Sequence, residues 1–246
     1  MAKYILFDTE TTGASEEDRI IQIGLMIVHN KNEIEIHDEL CRSEIPIKLE
    51  AMEVHNITPD MLIEKPYFTE TTSYKKLLEY NENENYLIAH NISFDLGMLL
   101  KEGFINKYTL IDTLRCAKHL YNELPYHRLQ YLRYALDLYK IEESEAKKLS
   151  ITIKAHDAIG DVLVMKLFLS KLVGIVQETY PKENPMIKLA ELTKTPVLIK
   201  TFKFGKYKGS EISEVAKKDG SYLLWMYENM KDLDEDMRFT LKEYLA

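Results

Sequence analysis

Asp8 and Glu10 stand at the end of the apolar run Tyr4-Ile5-Leu6-Phe7, and Thr11-Thr12-Gly13 follows them. The run predicts a short buried strand that ends in the Thr-Thr-Gly turn. Alternation along a strand puts both carboxylates on one face. Two carboxylates this close repel, and the pair is costly unless a cation holds it. Hard oxygen donors of this kind suit Mg²⁺ or Mn²⁺. The expectation is a metal site at the C-terminal end of a first strand.

The rest of the chain reads as the scaffold for that strand. Strands are expected over 3–9 and 19–29, then a turn, then an alternating edge strand over 33–42, so the chain opens as an antiparallel meander. Helical and strand patterns alternate after it. Helices are expected over 70–80, 93–102, 113–121 and 127–138, with short strands at 86–90 and 109–111. Residues 157–178 predict a long apolar helix, with Val162, Met165, Leu169 and Leu172 at helical spacing. The fold class is therefore α/β, a mixed five-stranded sheet with helices on both faces.

Thr179-Tyr180-Pro181-Lys182-Glu183-Asn184-Pro185 marks a boundary. The division expected is 1–178, then a linker over 179–197 with a short helix at 186–193, then a small α+β module over 198–246. That module would contain a strand at 199–204, a glycine-bracketed turn, and helices over 211–229 and 234–245. Trp225 is expected to anchor its core rather than to serve as a base-stacking platform.

The net charge of -8 argues at first against a nucleic-acid partner. Bound divalent ions would offset part of it, and distribution matters more than the total. Lys200, Lys203, Lys206 and Lys208 form a strip without an intervening acid. No apolar stretch reaches transmembrane length, and no secretory leader pattern opens the chain. Cys41 and Cys116 have no zinc spacing and read as reduced, buried residues of a cytoplasmic protein.

Asp8 and Glu10 have company. Asp95 follows the strand at 86–90, in Ala89-His90-Asn91-Ile92-Ser93-Phe94-Asp95. His156 and Asp161 open the long helix, in His156-Asp157-Ala158-Ile159-Gly160-Asp161. Each alone reads as a cap, a helix-dipole partner or a surface residue. Together, four carboxylates and a histidine suit two divalent ions that activate a water for in-line attack at phosphorus. The histidine can take the proton of that water.

These three segments resemble the exonuclease motifs of the DEDDh family, and Ala51-Met52-Glu53-Val54-His55-Asn56-Ile57-Thr58 resembles a further family segment beside the active site. The C-terminal stretches 201–209, 213–216, 221–225 and 238–245 resemble exodeoxyribonuclease X. The resemblance implies a ribonuclease-H-like fold and 3′→5′ removal of nucleotides from DNA, in repair. It implies two Mg²⁺ ions on Asp8, Glu10, Asp95 and Asp161, with Mn²⁺ also fitting, and His156 as general base. Trimming of RNA ends, or service as a polymerase proofreading or accessory subunit, are the alternatives.

Substrate contacts are expected from Thr11, Thr12 and Gly13 facing the terminal sugar, from His55 on a phosphate unless it makes a structural hydrogen bond, and from Lys206 and Lys208 on phosphates, where the alternative is a merely solvated face. Asn91 and Phe94 can hold the strand-to-helix turn through a cap and core packing, and Phe94 also lies where a terminal base would sit. The loop 14–18 should border the cleft and offers no large apolar wedge. The sequence leaves the oligomeric state open.

Overall fold

The computed structural model describes residues 2–30, 32–152 and 157–245. Strand β1 (Tyr4–Thr11) pairs antiparallel with β2 (Ile20–Asn30), which pairs antiparallel with β3 (Glu33–Leu40). Then come α1 (Leu49–His55), α2 (Thr72–Glu79), β4 (Tyr86–Ala89), α3 (Ile92–Lys101) and β5 (Thr109–Asp112). β4 joins β1 in parallel and β5 joins β4 in parallel, giving the order β3-β2-β1-β4-β5. Helices α4 (Thr113–Leu120), α5 (Leu129–Ala135), α6 (Tyr139–Leu149), α7 (Ala158–Thr179) and α8 (Pro185–Lys194) follow. The chain closes with α9 (Ile212–Lys218), α10 (Gly220–Asn229) and α11 (Glu235–Leu245).

Alternation along β1 divides the core in two. Leu6, with Met26, Ile88 and Ile111, faces α4, α5, α7 and α8. Ile5 and Phe7, with Ile23, Leu25 and Leu87, face α2 and α3. The sheet thus lies between two helical layers, as expected. β1 runs two residues past its expected end, so Thr11 belongs to the strand and not to the turn.

One contact places the long helix. Gly24 pairs with Asp8 across β1 and β2. A Cβ on Gly24 would come within 2.5 Å of the Ala158 carbonyl carbon and the Ile159 nitrogen. The start of α7 therefore rests directly on the sheet beside Asp8, an approach that only a glycine allows.

Several elements depart from expectation. Residues 139–149 form α6, which the pattern Tyr-Lys-Ile-Glu-Glu-Ser-Glu-Ala-Lys-Lys-Leu did not announce, because its inward-facing residues include Glu142. Arg133 grips that buried carboxylate with two hydrogen bonds of 2.6 and 3.0 Å. The strand expected at 199–204 reduces to one antiparallel bridge between Thr201 and Glu211. The helix expected over 211–229 breaks at Asp219, whose side chain caps α10 at Tyr222.

The C-terminal residues bury a core of their own, built on Phe202, Ile212, Leu223, Met226, Met237 and Leu241. Trp225 is not part of it and is 53% exposed. Asp236 joins this core to the rest. Its carboxylate accepts from both terminal nitrogens of Arg115 on α4 at 3.0 and 3.1 Å, and from the backbone nitrogen of Val197 at 2.9 Å.

Candidate active site

The four acids come from three separate elements. Asp8 and Glu10 lie on the face of β1 shared with Leu6, towards α7 and Asp161. Thr9 points to the other face, where its hydroxyl donates to Asp95 Oδ1 at 2.7 Å. Asp95 is buried in the first turn of α3. The end of β1 thus reaches both helical layers, and its successive side chains contact a helix on each.

The acids lie close enough for their charges to act on one another. Removal from water, followed by the charges of Asp95, Asp161 and Glu10, holds Asp8 well above the usual carboxylate range. Burial, then Asp161, Asp95 and Asp157, pushes Glu10 up to about 8. Burial also raises Asp95, against the hydrogen bond from Thr9 that lowers it. Proximity of like charges has this effect when no cation intervenes. Among the described residues, no group of three or more His, Cys, Asp and Glu is gathered tightly enough to cage an ion. The donor set is nonetheless all-oxygen and mutually repulsive, which is the chemistry a hard divalent cation relieves. His156 lies outside the described residues.

A cleft of about 500 Å³ opens beside Glu10. Thr9, Thr11, Gly13, Ala14, Lys48, His55 and Phe94 are among its lining. Phe94 is 36% exposed and lines this cleft, so its ring is not held in the core packing that was one expectation. His55 Nδ1 accepts from the Ile57 nitrogen at 3.0 Å, which puts the ring proton on Nε2. That Nε2 is buried and makes no hydrogen bond of ordinary geometry, although the Thr11 backbone lies close enough to favour the charged ring. Burial outweighs that effect and lowers the His55 pKa, keeping the imidazole neutral.

Thr12 is placed differently from Thr11 and Gly13. It is fully buried and donates to Asp18 Oδ1 at 2.8 Å, away from the cleft. Burial pushes Asp18 up, but hydrogen bonds from Lys48, Ser15 and Thr12 overcome it and hold the carboxyl far below its ordinary value. Lys101 also reaches the loop, donating to the Ser15 carbonyl at 2.8 Å. The loop 14–18 is thereby pinned. Gly13 is part of the reason, since a Cβ there would lie 2.7 Å from both Asp18 Oδ2 and Lys48 Cδ.

Asn91 adopts the left-handed conformation, with φ of 75°, at the β4–α3 turn. Its side chain makes no cap bond, so the expected cap is absent; its backbone nitrogen donates to Asp112 instead. His90 bonds Thr113 and the His127 carbonyl through its two ring nitrogens, and burial drives its pKa down to about 4. It is a structural histidine. Lys206 and Lys208 do not line the cleft; both are exposed on the turn of the C-terminal region.

Two glutamines complete the site, and neither was singled out from the sequence. Gln130 on α5 donates to Asp161 Oδ1 at 2.6 Å, and Arg133 donates to Gln130 Oε1 at 3.3 Å. Gln22 donates to Asp38 and to Asp157, both at 2.8 Å. Only Gln22 left a trace in the sequence, as the polar residue that interrupts an apolar strand.

A family model described as "Exonuclease" matches residues 5–169, and one described as "Exodeoxyribonuclease X-like C-terminal" matches residues 202–231. The chain belongs to the DEDD-type 3′→5′ exonuclease family. Exodeoxyribonuclease 10 of Escherichia coli is 29% identical over 98% of this chain and 97% of its own length. The DNA polymerase III subunit epsilon of Treponema pallidum is 32% identical over 63% of this chain and 78% of its own. A solved structure of exonuclease X in complex with 5′ overhanging duplex DNA superposes with a TM-score of 0.52 at 21% identity, covering 77% of this chain and 99% of that one. That structural likeness speaks for the fold of this exonuclease. Among the described residues, no helix is long and apolar enough to cross a membrane.

Proposed function

We propose that this exonuclease removes nucleoside 5′-monophosphates one at a time from the 3′ ends of DNA, as an autonomous repair-type enzyme of the cytoplasm, with Mg²⁺ as its metal. The observation that carries the reading is the set of four mutually repelling acids, Asp8, Glu10, Asp95 and Asp161, beside a cleft lined by Glu10, Thr11, Gly13, His55 and Phe94.

The four acids would hold the ions, and Mn²⁺ fits the same donors. Divalent ions bound there would supply positive charge where the phosphodiester is attacked. The chain's own residues do the remainder. Thr9 fixes Asp95, and Gln130 fixes Asp161. His156 takes the proton of the attacking water. His55 Nε2, an unsatisfied buried donor, has in a phosphate oxygen the acceptor it lacks. Phe94 offers an exposed ring to the terminal base, and Thr11 and Gly13 lie against the terminal sugar. Asn91, in the adjoining turn, shapes the approach to Phe94. Lys206 and Lys208 contact phosphates further along the strand. In this reading 1–178 perform the chemistry, 179–197 link, and 198–246 add grip.

Likeness to exodeoxyribonuclease 10 over nearly the full length, C-terminal region included, supports DNA as substrate and independent action. The matching polymerase subunit keeps a proofreading role as the second reading. The test compares 3′- and 5′-labelled DNA and RNA, single- and double-stranded, with Mg²⁺, Mn²⁺ or chelator. A metal-dependent ladder descending from the 3′ end of DNA, faster than RNA, is the expected result. Preference for RNA would assign RNA trimming instead, and no cleavage of any substrate would sink the proposal. Charge reversal at both Lys206 and Lys208 should lower the log–log salt slope of binding by roughly two.

A further inference from the structure

Trp225 is a large ring left outside a core that already fills. Leu223 and Met226 supply the buried face of α10, and Trp225 projects from the other side beside the exposed Leu224. Its ring stacks on Tyr222, with centroids 6.2 Å apart and planes 22° from parallel. Tyr222 in turn meets Tyr207 edge-on at 5.1 Å. The Lys206 ammonium lies 4.8 Å from the Tyr207 centroid and 5.7 Å from that of Tyr222.

The arrangement is locked in place. Asp219 accepts from Tyr207 Oη at 2.6 Å and from Lys206 at 3.0 Å while it caps α10. Gly205 has φ of 74°, and a Cβ there would lie 2.7 Å from the Tyr222 hydroxyl. The turn can close over Tyr222 because that residue is glycine. The result is a rigid aromatic step, one face open to solvent, with a cation at its margin.

Such a step suits the flat faces of unpaired bases, which stack on aromatic rings whatever their sequence. Charge favours the same occupant. Lys206, at the margin of the step, belongs to the sequence strip of Lys200, Lys203, Lys206 and Lys208, in a chain whose net charge is -8. The strip also leads back to the catalytic body. Lys200 donates to Asn122 at 2.7 Å, and Lys203 lies within electrostatic reach of His127, three residues before Gln130.

We propose that Trp225 and Tyr222 form a base-stacking platform for the single-stranded part of the DNA substrate, with Lys206 beside it on the phosphate backbone. This deepens the function proposed above and rests on DNA being the substrate.

Trp225 is the one tryptophan of the chain, so tryptophan fluorescence reports on it alone. The full chain, in chelator so that no strand is cut, is titrated with single-stranded oligothymidylate, with an abasic strand of equal length, and with a blunt duplex. Binding is followed in parallel by anisotropy of labelled strands. Quenching by oligothymidylate, but not by the abasic strand or the duplex, is expected. Trp225→Ala should weaken oligothymidylate binding about tenfold, and Trp225→Phe should restore most of it.

Binding without a change in emission, or equal quenching by the abasic strand, would overturn the platform and leave the exonuclease reading intact. Emission that shifts with protein concentration alone, with a dimer on sedimentation, would assign this face to a second copy and overturn it too. Failure both to bind and, with metal restored, to degrade DNA would remove the exonuclease reading itself.

Discussion

The cleft at the end of β1 and the face around Trp225 treat charge in opposite ways. In the cleft, acids of one sign are withdrawn from water and forced towards one another, so that burial and repulsion raise Asp8, Glu10 and Asp95 together. Beside Trp225, Lys206 stands in solvent, and its partner Asp219 is drawn far below its ordinary pKa by hydrogen bonds from Tyr207, Ser221 and Lys206. The first region stores unfavourable energy that a bound cation can release. The second is already relaxed and needs no ion. Chemistry at a phosphodiester calls for the former, and holding a strand calls only for the latter.

The largest break in this contrast comes from Asp8→Asn. It should lower turnover on the order of a thousandfold or more, since several kcal/mol of transition-state stabilisation pass through that carboxylate. The same change should raise the melting temperature of the metal-free protein near pH 8, because it removes a repelling charge. Activity assays and calorimetry check the two halves, and a lower melting temperature for the Asp8→Asn variant would show that the acids are not strained against one another.

Gly24→Ala tests whether the cleft depends on how closely α7 approaches the sheet. The added methyl must displace backbone of α7, which should cost about 1–3 kcal/mol of stability and about a hundredfold in activity. Gly174→Ala in the same helix, where nothing lies within 4 Å of the new Cβ, serves as the control and should leave activity unchanged.

Gln130→Ala should weaken Mn²⁺ binding by roughly ten- to a hundredfold, the usual cost of removing a group that orients a ligand. Titration calorimetry reads that loss without turnover. Wild-type affinity would reduce Gln130 to packing.

The smallest effect is in pH dependence, and it sharpens the contrast. A carboxyl whose pKa rises on folding binds protons more tightly in the native state. Its contribution to stability is complete below the unfolded value of 4.5 and is lost as pH climbs through about 8 for Glu10. In chelator, the melting temperature should fall by several degrees across that window, and divalent ions should restore it at the alkaline end. A flat profile in chelator would mean that the acids are screened from each other.

The sheet was legible because its strands carry their own periodicity, and the four acids were legible because they end those strands or begin the helices that follow. Orientation was less so. Phe94 and Trp225 are large rings, and size alone suggests burial, but a ring's direction depends on which helical face the core has already filled. Helix α6 was missed because Glu142 is buried against Arg133, a pairing across nine residues that no period reveals. Gln130 was invisible for a related reason: its partner Asp161 is brought to it by folding. The strand at 199–204 had the alternation but lacks a neighbour to pair with, and a strand pattern without a partner stays a bridge.

Asp236 gives the molecule a particular kind of cooperativity. One carboxylate on the last helix accepts from Arg115 in the catalytic body and from Val197 in the connecting segment. The final helices would be a marginal fragment by themselves. Tied at this point, they would share the free energy of the sheet, and a thermal scan of the full chain is expected to show one transition, split in two by Asp236→Ala.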